Sequence, residues 1–196
     1  MVGIVNYGAG NIFSITAALA RLDISYGMIN TQEDFDRYDR IIIPGVGHAR
    51  AAMDKLKASG LAAVIPKLEK PVLGICVGMQ LLTAYSEEGD ADLLDIIPVK
   101  TLHFEGRVKE KVPHMGWNSI NFDPACPLFK DIPNNTYFYF VHSYFIEHED
   151  AYNIATCAYG LTFSAAIAKN NFWAVQFHPE KSGKAGEQLL LNFSHF

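Results

Sequence analysis

Cys76 stands in PVLGICVGMQLL between Gly74 and Gly78, where an apolar run gives way to helix-forming residues. In G-x-C-x-G the glycines tolerate backbone angles and close contacts that a β-carbon forbids. Such a turn lifts a nucleophile above a sheet, as a strained strand-to-helix elbow does. A thiol opening a helix also meets the positive end of its dipole, which favours thiolate. A structural cysteine between two packing glycines has the same letters, so spacing alone leaves both readings open.

His178 and Glu180 flank Pro179 in FHPEK, after the apolar run FWAVQ. In an extended segment, residues two apart face one side, so the Glu180 carboxylate is expected to orient the His178 imidazole. That imidazole then takes a proton from a thiol elsewhere in the fold. PGVG closes the run RIII and leaves backbone N–H groups of Gly45, Val46 and Gly47 for charge developing on a carbonyl oxygen. Each segment alone is also compatible with an ordinary solvated turn. Together they supply nucleophile, base, orienting carboxylate and oxyanion donors, the set for acyl transfer through a thioester. No C-x-x-C pair or H-E-x-x-H helix is present, so no metal is expected. GAGN is not a G-x-G-x-x-G fingerprint and no GK[ST] follows a strand, so no cofactor is expected either.

The elements that must position these groups alternate in the first half. VGIVNY, ISYGMIN, RIIIPGVG and PVLGIC read as strands; IFSITAALARL, the stretch from His48 to Glu69 and VGMQLLTAYS read as helices. Gly60 and Pro66 are expected to break the second helix. Apolar strands alternating with helices predict an α/β fold: an open, mostly parallel sheet with helices on both faces. Ligands of such sheets lie beyond the carboxyl ends of the strands, where PGVG and the Cys76 turn both fall. The second half holds short aromatic and β-branched runs split by turn formers, which predicts hairpins and a mixed or antiparallel edge. SGKAGEQLLLNFSHF reads as a closing helix, and residues 1–196 as one domain.

Bulk properties exclude some function classes. A net charge of −5 argues against nucleic-acid or membrane-surface binding, which calls for basic patches. No run approaches the about 18 apolar residues of a membrane span. Cys76, Cys126 and Cys157 are too few for a disulfide framework, so all three are expected to be reduced thiols in a cytoplasmic protein. Cys126 and Cys157 are assigned to packing.

GICVGMQLL with a distant FHPEK resembles the class I, triad-type glutamine amidotransferases. Within them NYGAGN, IPGVGH, VPHMGWN, YFVHSY and QFHPEKSG are similar to the glutaminase subunits of imidazole glycerol phosphate synthase, in order and without a large insertion. The resemblance implies a flavodoxin-like fold in which Cys76 attacks the carboxamide of L-glutamine. His178 would act as base and then acid, with Glu180 holding it. It implies that the Gly47 segment forms the oxyanion site. Gln80 and the backbone at Ser143 and Tyr144 would hold the glutamine head group. It further implies a heterodimer with a (β/α)8-barrel cyclase that receives the ammonia in histidine biosynthesis, with Asn11, Trp117, Tyr139 and Lys181 at or near the interface. Trp117 on its own is equally readable as a core residue. Ala9 departs from members that carry Pro there, which implies a looser turn. Two other readings stand beside this one: a paralogous glutaminase serving another ammonia acceptor, and a non-enzymatic α/β scaffold.

Overall fold

Short β-branched strands separated by helix-period segments build the first half. The computed structural model describes residues 1–196. In order come β1 (Val2–Val5), α1 (Ile12–Arg21), β2 (Tyr26–Ile29), β3 (Arg40–Ile43), α2 (Ala49–Ala58) and β4 (Val72–Ile75). Two single 3-10 turns follow α2, at Leu61–Ala63 and Ile65–Lys67, so Gly60 and Pro66 do break that stretch. β1 and β4 are buried at every position, as strands covered on both faces should be.

β1 pairs in parallel with β2 on one side and β3 on the other, and β3 pairs in parallel with β4. The chain thus crosses the sheet one way from β1 to β2 and the opposite way from β3 to β4. Right-handed crossovers then put α1 and α2 on opposite faces. The reversal lies between β1 and β3, whose carboxyl ends lead into NYGAGN and PGVG. That is where an open α/β sheet offers a crevice.

One sequence expectation fails at the next element. VGMQLLTAYS reads as helical throughout, but α3 (Val77–Leu81) has five residues and β5 (Thr83–Ser86) is a strand. The Thr83 hydroxyl donates to the Gln80 carbonyl at 2.8 Å and meets the Thr101 hydroxyl at 3.1 Å. β5 then pairs with β6 (Ala91–Asp92) and with β7 (Ile97–His103). Strand partners on both sides outweigh a helix preference that β-branched Thr83 already weakens.

The second half supplies β8 (His114–Phe122), β9 (Tyr137–His142), β10 (Tyr144–Ile146), β11 (Asn153–Tyr159), β12 (Leu161–Lys169) and β13 (Phe172–Val175), then α4 (Gly183–Phe193). β13 returns to lie parallel to β4, and from it the sheet continues antiparallel through β12 and β10 to β7. β11, β8 and β9 branch off β12. The expected α/β open sheet, with a parallel part and an antiparallel continuation from the second half, is the observed one. No helix is long and apolar enough to cross a membrane.

The β4–β13 register positions the site. Ile75 lies opposite Val175, and the Cys76 N–H donates to the Val175 carbonyl at 2.8 Å. Two segments a hundred residues apart therefore leave the sheet side by side.

Candidate active site

Cys76 has φ 55°, in the left-handed region that non-glycine residues avoid, and opens α3. The flanking glycines make this turn possible. A β-carbon on Gly78 would lie 1.9 Å from the Ile43 carbonyl oxygen, and one on Gly74 would lie 2.6 Å from the Gly78 oxygen. The elbow therefore packs flush against the end of β3, and the thiol is held at the strand end by backbone geometry.

His178 and Glu180 are joined by a 2.8 Å contact from the imidazole Nδ1 to the carboxylate, with both side chains almost fully buried. The route differs from the expected extended alternation. Pro179–Lys181 forms a single 3-10 turn, so Glu180 reaches back to the ring through a local bend. β9 fixes the segment from outside: the His178 N–H donates to the Tyr139 carbonyl at 2.9 Å. The Ser182 hydroxyl donates to the His178 carbonyl at 2.6 Å and accepts from the Tyr139 N–H at 3.0 Å. Burial alone would lower the pKa of His178, but the Cys76 sulfur and then Glu180 outweigh it and raise it to about 10. With Nδ1 on the carboxylate, Nε2 is left for the sulfur.

A cleft of about 350 Å³ opens above these groups. Val46, Gly47, Cys76, Gln80, Ser143, Tyr144 and His178 all line it, so the expected residues are brought together. Gly45 lies buried just behind. Gly47 has φ 87°, and the Tyr7 hydroxyl holds the start of its segment by donating to the Pro44 carbonyl at 2.7 Å. Burial, then the nearby Cys76, raises the Tyr7 phenol well above its ordinary range, so it stays a donor. The Gln80 Oε1 is buried without a hydrogen-bond partner.

Two lining residues escape a reading of the sequence. Glu88 is the one carboxylate of the cleft, and its Oε2 accepts from the Ala49 N–H at 2.5 Å. It sits in the polar stretch SEEGD, where no spacing marks it out. His142 precedes Ser143 in YFVHSY, and only the fold reveals its neighbours. Its Nδ1 donates to the Tyr144 carbonyl at 2.6 Å, and its Nε2 lies 2.8 Å from the His114 Nδ1. Asn118 Nδ2 in turn reaches the His114 Nε2 at 3.2 Å. Neutral rings, each with its proton on Nδ1, satisfy every contact of this chain.

That buried pair makes stability depend on pH. Burial lowers His114 to about 4 and His142 to about 3; for His142 the Tyr144 carbonyl opposes the shift, while His114 and His178 add to it. Unfolded histidine titrates near 6.5. The unfolded chain therefore binds more protons across that interval, so the stabilisation is complete above about 6.5 and is lost as pH falls through about 4 for His114 and about 3 for His142. Urea midpoints measured from neutral pH downward should fall by an amount equivalent to several kcal/mol. A His114→Gln variant should show a shallower fall, and an unchanged slope would count against the pair.

Of the interface candidates, Trp117 and Tyr139 lie on the paired strands β8 and β9 and Lys181 on the turn after His178, whereas Asn11 stands apart at the start of α1. Trp117 is 55% exposed, which excludes the core reading. It stands edge-to-face with Tyr139 at 6.1 Å, and the Lys181 ammonium lies 6.0 Å from the centre of the Tyr139 ring. Met115 and Tyr137 are exposed on the same two strands. Asn11 caps α1, accepting from the Ser14 N–H at 3.3 Å. Cys126 is half-buried and Cys157 buried, and burial raises both thiols.

The family model for glutamine amidotransferase class-I matches residues 3–195. The chain is 46% identical over 192 residues to "Imidazole glycerol phosphate synthase subunit HisH" of Pasteurella multocida, covering 98% of this chain and 96% of the relative. It is 45% identical to the protein of that name from Bacteroides fragilis, covering 98% and 97%. Among solved structures, a glutamine amidotransferase superposes with a TM-score of 0.76 at 15% identity, covering 98% of this chain and 96% of that one. PurLQS from Thermotoga maritima gives a TM-score of 0.71 at 16% identity, covering 98% and 96%. These two likenesses concern the fold alone. The family model and the sequence relatives assign the chain to the class I glutamine amidotransferases, and within them to the HisH family.

Proposed function

We propose that this chain supplies ammonia as the glutaminase component of imidazole glycerol phosphate synthase, through a thioester on Cys76. The observation that carries this reading is the meeting of a strained thiol with a carboxylate-held imidazole in one cleft. The Cys76 thiolate attacks the carboxamide carbon of glutamine. The oxygen of the tetrahedral species takes the negative charge and is met by backbone N–H groups near Gly47. His178 gives a proton to the departing nitrogen, and ammonia leaves as the γ-glutamyl thioester forms. His178 then takes a proton from water, which attacks the thioester and releases glutamate. Glu180 keeps the imidazole oriented through both half-reactions. Gln80 Oε1, with its free acceptor, and the backbone at Ser143 and Tyr144 hold the substrate. Glu88 is placed to receive the α-ammonium group.

The same reading takes residues 1–196 as one domain, supported by a hydrophobic core that draws on both halves of the chain. The partner is a (β/α)8-barrel cyclase that consumes the ammonia in histidine biosynthesis. Exposed Trp117, with Lys181 and half-buried Tyr139 beside it, supports a docking surface there, since a large exposed aromatic of this kind makes an anchor. Asn11, at the start of α1, belongs at or near the same proposed interface. Tyr139 bonds through its backbone to His178 and Ser182, so docking would bear directly on the base.

An uncoupled glutaminase wastes glutamine, so the isolated chain is expected to hydrolyse it slowly. Addition of the barrel partner together with its ligand should raise the rate by about two orders of magnitude, the size of a 1–3 kcal/mol coupling. Glutamate release with and without the partner measures this. Equal, fast hydrolysis in both would reject the coupling, and co-purification with a different acceptor enzyme would favour a paralogue.

A further inference from the structure

Gln176 is fully buried and stands two residues before His178, at the end of β13. Its Nε2 donates to the Cys76 Sγ at 3.8 Å, a contact that the large sulfur permits. Its Oε1 accepts from the Gln80 Nε2 at 3.3 Å. Gln80 is itself buried, lines the cleft and leaves its Oε1 without a partner. In this arrangement Oε1 is turned to the Gln80 donor and the N–H of Gln176 faces the sulfur. Burying amides is costly unless they are bonded, and apolar side chains would fill the space without that cost.

We infer that Gln176 is a further catalytic residue of this site: its amide N–H holds the Cys76 sulfur as thiolate, and Gln80 links that donor to substrate occupancy. A donor hydrogen bond to an anion favours the anion, whereas His178 acts on the same sulfur by carrying its proton. Gln176 carries no proton away. Cys76 is only 4% exposed, so a donor inside the protein takes the place of the water that would otherwise meet a negative sulfur. When a donor of the bound substrate occupies the Gln80 Oε1, it fixes the Gln80 amide and with it the Gln176 amide. The link to substrate rests on the glutaminase reading; the donor to the sulfur does not.

The test uses Gln176→Met, of similar length without a donor, and Gln176→Glu, of similar shape with an acceptor facing the sulfur. Cys76 modification by iodoacetamide is followed by mass, resolved from Cys126 and Cys157, from acid to alkaline pH. Glutamine hydrolysis by the assembled complex gives kcat and KM. Alkylation of the Met variant should be about tenfold slower at neutral pH, with an unchanged alkaline plateau, the size of one charge-assisted hydrogen bond at this length. kcat should fall by a similar factor, with KM within about threefold. The Glu variant should react more slowly still at neutral pH. Thermal melting identifies a variant that does not fold, and the Glu variant bears the test if the Met variant fails. A wild-type alkylation profile in a folded variant would overturn the inference, as would an equal slowing at every pH, the mark of general disturbance. The alkylation arm contains no glutamine. Failure of the glutaminase reading would show instead as hydrolysis surviving Cys76→Ala.

Discussion

Cys76→Ala should abolish glutamine-dependent synthesis by the assembled complex while ammonium-dependent synthesis continues. Without a sulfur there is no thioester, and His178 and the oxyanion donors are left with a water that nothing positions for attack. Loss of a nucleophile from such a unit costs a factor of about 10⁴ or more. The residual rate should not fall further when His178 is also replaced, because groups that act as a unit are not additive. The fold should survive, since alanine fits the space and the backbone turn is set by Gly74 and Gly78. Product formation with glutamine and with ammonium salts, assayed side by side, separates the two functions. Loss of both in a complex of normal assembly would mean that Cys76 does more than supply ammonia.

Glu180→Gln should lower kcat by about 10³-fold or more with little change in KM. The carboxylate contacts the imidazole Nδ1 at 2.8 Å from a nearly inaccessible position, so water cannot replace it. It holds the tautomer that leaves Nε2 for the sulfur, and it stabilises the imidazolium that each proton transfer creates. An amide presents either a donor or a neutral acceptor there, and loses the charge. The raised pKa of His178, due in part to Glu180, should drop in the variant. The pH dependence of the residual activity reads that drop. Glu180→Asp keeps the charge on a shorter arm and should fall between the two. An unperturbed kcat in Glu180→Gln would remove the carboxylate from the mechanism.

Much of the site is legible because local spacing encodes it. G-x-C-x-G describes a turn that only glycine neighbours permit, and the steric distances at Gly74 and Gly78 give the reason. His178 and Glu180 are close in the chain, so almost any compact turn brings them together. The alternation that suggests their contact is nevertheless the wrong geometry, because Pro179 begins a 3-10 turn. β5 reads as the end of a helix, since its strand partners lie beyond any local window. Trp117 is readable as core or surface until its exposure is known.

Residue types alone determined the chemistry available: one thiol in an elbow, one imidazole with a carboxylate beside it, and a glycine-rich strand end. The apolar periodicity determined that these would sit at strand ends of an α/β sheet. Only the tertiary structure decided that β13 lies beside β4, which brings Gln176 and His178 to the sulfur. Only it placed Glu88 in the cleft and the two buried imidazoles behind Tyr144. The reason is physical. Backbone angles and amphipathic periods are set by near neighbours, whereas strand order and burial are set by which distant apolar surfaces exclude water together.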